Sequence, residues 1–344
     1  MSQFLTEIRQ QPEVARRILD SALERVQFVA DAIRAAGVKG LILAARGSSD
    51  HGATYGRFLF EVRNKLAVSL ASPSVYTHYQ SPPVLEGFGV MGISQSGSSP
   101  DVVAVIKEAR RQGALTIALT NQPASDLSAA AEHVLPMGAG PELSVPASKT
   151  YTATLLVLAL LSSGLDPDPA FTQALHEVPE ALAMTLELEP RIADWAPLLA
   201  ENRMLILGRG YHFATAQEIA LKLTETSYLW TQANSVADFL HGPVSVVEPG
   251  LASLLVDANG PAQGDLRNLA RTLGDRGARV MRMTDGEGEW PGVESVLRIQ
   301  TGLPEPLTPI PFAVAGQLLA YHRARSLGFD PDHPRQLTKV TRTW

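Results

Sequence analysis

Val90-Met91-Gly92-Ile93-Ser94-Gln95-Ser96-Gly97-Ser98-Ser99-Pro100-Asp101 decides how the rest of this chain is read. An apolar run stops abruptly in small hydroxyl and glycine residues. Pro100 follows, then an amphipathic pattern of Val102, Val103, Val105, Ile106 and Ala109. This succession predicts a buried strand, a tight turn and a helix, with Ser99 at the N-cap and Pro100 at the first helical position. Backbone N–H groups and serine hydroxyls gathered at the positive end of a helix suit a phosphate. Ser and Gly also cap helices that bind nothing, but four serines in six residues weigh towards an anion site. The stretch lacks the G-x-x-x-x-G-K-[ST] pattern that cradles a nucleoside triphosphate with magnesium. A monophosphate carried on a small molecule is therefore the expected ligand.

Composition narrows the class. With 344 residues the chain has room for two α/β domains of ordinary size. Apolar residues at 45% and charged residues at 19% make a globular mixture without a disorder signature. A net charge of −6 argues against a general nucleic-acid binder, which needs a basic face. The absence of cysteine removes disulfides, thiolate metal sites and cysteine nucleophiles together. Met1-Ser2-Gln3-Phe4-Leu5-Thr6-Glu7 has no basic region followed by an apolar core, so no signal peptide is expected. The greasiest stretch, Ala153 to Leu161, is far short of the ~20 residues of a membrane span. A soluble, cytoplasmic protein with no nucleic-acid or membrane partner is the expectation. The eight histidines show no H-x-x-x-H or similar pair, and no metal site is expected.

Working outward, residues 1–36 read as a helical segment, with Val14, Ile18, Ala22, Val26, Val29 and Ile33 three or four apart. Gly40 to Ala45 is a short buried strand running into a second small-residue turn, Arg46-Gly47-Ser48-Ser49-Asp50-His51-Gly52, and a helix through Tyr55, Leu59 and Val62. Strands are also predicted over Val68–Leu70 and Leu115–Leu119. Strands alternating with helices predict a mostly parallel, doubly wound sheet flanked by helices. The second half repeats the first. Met204 to Gly210 matches Leu41 to Gly47 at an offset of 163 (210 − 47), and Leu254 to Gly260 falls opposite Met91 to Gly97 at the same offset. Two copies of one α/β domain follow: 37–165 and 200–329, joined by a helical linker over 166–199 and ending in a polar tail over 330–344. The second copy lacks the serine cluster, so one phosphate turn is expected.

Several motifs now converge. Ser94-Gln95-Ser96-Gly97, the double repeat, Glu218-x-x-Leu221-Lys222-x-x-Glu225, His241-Gly242-Pro243 and Pro334-Arg335-x-Leu337-x-Lys339 together resemble the tandem sugar isomerase (SIS) proteins. The resemblance begins at Glu7-Ile8-x-x-Gln11-Pro12 and covers almost the whole chain. Within that superfamily the chain is similar to the isomerase half of glucosamine-6-phosphate synthases. Its Arg46-Gly47-Ser48-Ser49-Asp50-His51 turn looks more like the SIS-type glucosamine-6-phosphate deaminases. The synthases liberate ammonia with a glutaminase cysteine; a chain without cysteine is not expected to use glutamine in that way.

The resemblance implies roles for individual residues. Spacing alone puts Glu218, Lys222 and Glu225 on one helix face, which also describes a solvated Glu–Lys face. The family assigns Glu225 the proton transfer between C1 and C2, work suited to a carboxylate whose pKa burial raises. Lys222 would neutralise substrate charge or hold Glu225. His241 would open the sugar ring, arriving from a neighbouring subunit, which implies at least a homodimer. Lys339 matches a lysine near C1 or C2 of the open-chain sugar, with Schiff-base formation left open. Ser48, Ser49, Ser94, Gln95, Ser96 and Ser99 are carried over as phosphate ligands, and Val145, Ser148 and Glu218 as the sugar pocket. Thr224 stands where the family often has a second basic residue, and Val340 to Trp344 depart from the synthase terminus. The expected reaction is conversion of glucosamine 6-phosphate to fructose 6-phosphate and ammonia, without a cofactor. The alternatives are an aldose–ketose isomerase or deglycase on another amino-sugar phosphate, and a non-catalytic sugar-phosphate-binding regulator.

Overall fold

The computed structural model describes residues 2–199 and 202–339. Two compact units emerge, neither continuous in sequence. One holds Glu13–Leu143, Lys149–His176 and the tail from Leu337; the other holds the N-terminal stretch to Pro12, Ser144–Ser148 and Glu177–Gln336. These units cut through the N-terminal segment, the linker and the tail drawn from the sequence. The reason is packing: the Leu23–Ala36 helix buries Val26, Val29, Ala30 and Ile33 and lies on the Lys149–Leu165 helix, so it joins the first sheet's unit. Of the tail, Val340 to Trp344 lie outside the described residues.

The first unit is built on β1 (Gly40–Ala44), β2 (Ala67–Leu70), β3 (Phe88–Ser94), β4 (Leu115–Thr120) and β5 (His133–Pro136), all parallel, in the order β2-β1-β3-β4-β5. β3, sequence Phe-Gly-Val-Met-Gly-Ile-Ser, is buried along almost its whole length, as a central parallel strand must be. Gly92 is required there, because a Cβ would lie 2.8 Å from Leu127 and 2.9 Å from Ile106. The greasy Lys149–Leu165 helix is buried on nearly every side, so it is a core helix. No helix among the described residues is long and apolar enough to cross a membrane.

The second unit repeats this plan with β6 (Arg203–Gly208), β7 (Trp230–Ser235), β8 (Ala252–Asp257), β9 (Arg279–Thr284) and β10 (Val293–Arg298), ordered β10-β9-β8-β6-β7. Read from the other edge, that is the first sheet's order. The repeat extends to dihedral angles: Gly47 and Gly210, 163 apart, open their helices at φ 56°, ψ −135° and φ 60°, ψ −133°. In each sheet the winding reverses beside the first strand, between β1 and β3 and between β6 and β8. Ligands of doubly wound sheets bind beyond the carboxyl ends of the strands at such a reversal.

His212, just past β6, is fully buried, and burial drives its pKa down to about 3. Its Nε2 lies 2.9 Å from the Thr308 hydroxyl, which itself donates to the Glu305 carbonyl at 2.8 Å. The hydroxyl hydrogen being engaged, Nε2–H is the donor and the imidazole is neutral. The unfolded chain protonates this ring near pH 6.5 and the folded one only near 3. The stability it contributes is therefore complete above about pH 6.5 and is lost as pH falls through that window, by about 1.4 kcal/mol per unit. Urea denaturation of His212→Asn should show a shallower acid loss; a slope equal to wild type would refute this.

Candidate active site

In the first unit, both predicted turns stand at the carboxyl ends of β1 and β3. Ser48 and Ser49 are the first two residues of the Ser48–Asn64 helix, half-buried, after exposed Gly47. After β3, the Ser94 hydroxyl accepts from the Gly97 N–H at 3.2 Å and lies 3.3 Å from the Ser99 hydroxyl. The Ser96 hydroxyl accepts from the Ser98 N–H at 3.3 Å and from its hydroxyl at 2.9 Å. Gln95 is half-buried, and its carbonyl accepts from Asn121 N–H at 3.2 Å. Ser99 is the N-cap and Pro100 the first helical residue, as expected, but the Ser99 side chain makes no capping bond; it turns to Ser94 instead. The hydroxyls thus pair with one another, Ser94 with Ser99 and Ser96 with Ser98, in the turn at the positive end of a twelve-residue helix.

The sequence reading missed the cation of this site. Arg46 Nε donates to Asp101 Oδ2 at 2.6 Å, tying the turn after β1 to the turn after β3. Asp101 is almost fully buried while the Arg46 side chain is half exposed. That leaves a guanidinium held at the strand reversal, within the same pair of turns as the serines. Asp50, in the same turn, has its carboxyl pushed up by burial, against the lowering effect of His51 and Arg46.

Gly97 carries the turn's geometry. Its φ is +61°, and a Cβ would fall 2.0 Å from the Ser125 hydroxyl and 2.9 Å from the Thr120 hydroxyl. Gly97→Ala should displace the turn and weaken sugar-phosphate binding by about tenfold, or ~1.4 kcal/mol, in calorimetric titration. Unchanged affinity would remove the turn from the binding site.

The equivalent turn of the second sheet is filled with carboxylates. Asp257 occupies the position of Ser94 (257 − 94 = 163), buried and paired with Arg282 at 2.7 Å. Asp285 accepts from the Asn259 N–H at 2.7 Å, and the Glu305 carboxyl crowds Gly260. Burial pushes the Asp285 and Glu305 carboxyls up. Such a lining does not suit a phosphate.

The second unit carries the candidate acid–base residues. Glu218, Lys222 and Glu225 follow one face of the Tyr211–Ser227 helix. Glu218 and Lys222 are each 1% exposed and Glu225 21%. The solvated Glu–Lys face that spacing alone allowed is not what forms. The helix packs on the long Pro309–Ser326 helix through Ile219, which lies against Gly316, and Thr226, whose hydroxyl donates to the Ala320 carbonyl at 3.3 Å. The Lys222 ammonium donates to Glu225 at 2.6 Å and lies 3.5 Å from Glu218. Thr224, the residue before Glu225, instead has its hydroxyl 2.7 Å from the Thr231 hydroxyl and donates to the Leu229 carbonyl at 3.1 Å.

His241 ends the short Val236–Leu240 helix, is exposed, and its ring makes no hydrogen bond among the described residues. Ser148 is buried and Val145 half-buried on the Ser144–Ser148 segment. The N-terminal Glu7 and Gln11 show their purpose here. Glu7 accepts from the Ser144 hydroxyl and N–H, and Gln11 donates to Gln317 at 2.7 Å, which donates to the Ser148 carbonyl at 3.2 Å. Arg335 of the tail stacks on Tyr228, the residue that closes the Glu225 helix, at 4.3 Å.

Back in the first unit, Lys339 is not a free surface lysine. Its ammonium donates to Glu142 at 2.6 Å. Glu142 was not singled out in the sequence, where nothing distinguishes it from a loop carboxylate.

These features define a tandem α/β protein with a serine-rich turn after β3 and a helix that buries a Glu–Lys–Glu cluster. The chain belongs to the SIS domain family, whose pattern matches residues 36–163 and 198–322. It is 32% identical over 350 residues to glutamine–fructose-6-phosphate aminotransferase (isomerizing) of Bradyrhizobium diazoefficiens, across 97% of this chain and 57% of that protein. The chain thus spans little more than half the length of the curated relatives it matches. A candidate phosphosugar isomerase from Silicibacter pomeroyi DSS-3 superposes with a TM-score of 0.89 at 33% identity, over 96% of this chain and 100% of that one. The glucosamine-6-phosphate deaminase of Thermotoga maritima shares the fold, with a TM-score of 0.76 at 22% identity, over 99% and 100% of the two chains.

Proposed function

We propose that this chain is a sugar-phosphate enzyme of the SIS type that deaminates glucosamine 6-phosphate to fructose 6-phosphate and ammonia. The observation that carries the reading is the Lys222–Glu225 pair: a partly exposed carboxylate held at 2.6 Å by a buried ammonium. Such a fixed, solvent-reachable base on a rigid helix is what proton transfer at carbon requires. The serine turn and Arg46 supply a matching anchor for the 6-phosphate.

In this reading His241 moves the protons that open the ring, and its exposure fits a residue donated to a second copy of the chain. Glu225 takes the proton from C2 and returns one to C1, leaving an imine at C2. Water adds to that imine and ammonia leaves, giving the ketose phosphate. Proton transfer and hydration need no cofactor beyond these groups.

The test is ammonia release from purified protein with glucosamine 6-phosphate, fructose 6-phosphate being assayed in the same tube. Equal amounts of both products are the expected result. Ketose formation from a neutral aldose phosphate without ammonia would instead select the aldose–ketose isomerase. Thermal stabilisation by sugar phosphates with no turnover would select the regulator.

A further inference from the structure

The Gln3–Arg9 helix has seven residues, short of the ~12–15 at which an isolated helix is even marginal in water. Its first turn is fastened from 328 residues further along the chain. Asp332 accepts the Phe4 N–H at 2.7 Å, the Gln3 N–H at 2.9 Å and the Ser2 hydroxyl at 3.0 Å. The Ser2 oxygen in turn accepts from the Leu5 N–H at 3.3 Å. The first three helical N–H groups, which a helix cannot satisfy from within, are thus engaged, two of them by one carboxylate. Asp332 is itself fixed through its N–H, which donates to the Asp330 carboxylate at 3.0 Å. One turn beyond, the same helix carries Glu7, wholly buried. Its carboxylate accepts from the Gln3 amide at 2.8 Å, from the Ser144 N–H at 3.2 Å and from the Ser144 hydroxyl. Ser144–Ser148 is a short excursion of the chain, which lies in the first unit up to Leu143 and again from Lys149. Glu7 holds one end of it in the second unit and Gln317, at the Ser148 carbonyl, the other.

We propose that Asp332 is a positioning residue for the sugar pocket: it seats the N-terminal helix and, through Glu7, sets where the Ser144–Ser148 segment lies. Every link is a direct hydrogen bond within the second unit. A carboxylate that holds two successive backbone N–H groups fixes both the axial position and the rotation of a short helix. A helix that loses this clasp carries Glu7 with it, and Glu7 is what Ser144 is bonded to. Phe4 and Ile8, both fully buried, keep the helix on the core without the clasp, so the consequence is a shift and not the loss of the fold. That Val145 and Ser148 line the sugar pocket rests on the proposed function; the clasp does not.

Hydrogen exchange on the full chain, without substrate, reads the clasp. Asp332→Ala should speed exchange of the Phe4 and Ser144 amides about tenfold, the order of a lost helix cap, and leave β3 at its wild-type rate. Asp332→Asn, which keeps one acceptor oxygen, should recover part of the protection. Unchanged exchange at Ser144 in Asp332→Ala would overturn the proposal whatever the substrate is. Calorimetric titration with glucosamine 6-phosphate reads the pocket. Affinity should fall about tenfold in Asp332→Ala and partly return in Asp332→Asn, while turnover at saturation stays within about threefold of wild type because Glu225 is untouched. Faster exchange at Ser144 with unaltered affinity would overturn the positioning role. A wild-type protein that binds no glucosamine 6-phosphate would overturn the proposed substrate instead, with the clasp still decided by exchange. One measurement needs no variant to fold: saturating ligand should slow exchange at Ser144 and at Phe4 alike in wild type, since coupling is reciprocal. Slowing at Ser144 without Phe4 would overturn the link between them.

Discussion

Glu225→Gln should lower kcat for the amino-sugar phosphate about 100- to 10,000-fold, the range that a positioned general base contributes, with little change in KM. The substitution keeps the shape of the side chain and its reach to Lys222, but an amide cannot take up a proton. Glu225 is 21% exposed, and Lys222 still has Glu218 at 3.5 Å, so the variant should fold and melt close to wild type. The split between kcat and KM carries the diagnosis, because in the proposed reading the phosphate is held by other residues. Stopped assays of ammonia and ketose phosphate measure it. Turnover within about threefold of wild type would assign proton transfer to another group.

The sequence exposes the fold well because the repeat is written in it. Gly47 and Gly210 share an offset, a turn and a backbone conformation, and the strands around them keep the same spacing. Short elements are less legible: β5 and the five-residue Asp126–Ala130 helix are too brief for periodicity to mark. The site divides along another line. Ser94, Ser96 and Ser99 are adjacent in sequence and read as one turn, whereas Arg46–Asp101 and Glu142–Lys339 are pairs made by topology, 55 and 197 residues apart. No local pattern could announce them. The Glu218, Lys222, Glu225 spacing is the intermediate case. It fixes a common face but is the same for a solvated helix and a buried one, and only the tertiary packing around the helix decides which.

That burial has its own consequence. Lys222→Met should destabilise the fold by about 3–5 kcal/mol, the usual result of removing one partner from a buried ion pair. Methionine matches the aliphatic stem in volume, so the loss reports charge and not a cavity. Glu218, 1% exposed, is left without the ammonium at 3.5 Å, and its carboxylate cannot recover hydration on a helix packed against another. Adding Glu218→Gln to Lys222→Met removes the second charge, and should return a large part of the stability, because a buried pair replaced as a pair costs little. Turnover should not return with it. Lys222 fixes Glu225 at 2.6 Å, so a double variant that folds well still lacks the group that holds the base in place. Denaturant midpoints and kcat measured on wild type, the single variant and the double variant separate the two roles. Stability and activity recovering together would mean that Lys222 acts only as a structural cation; stability recovering alone assigns it to the chemistry of Glu225.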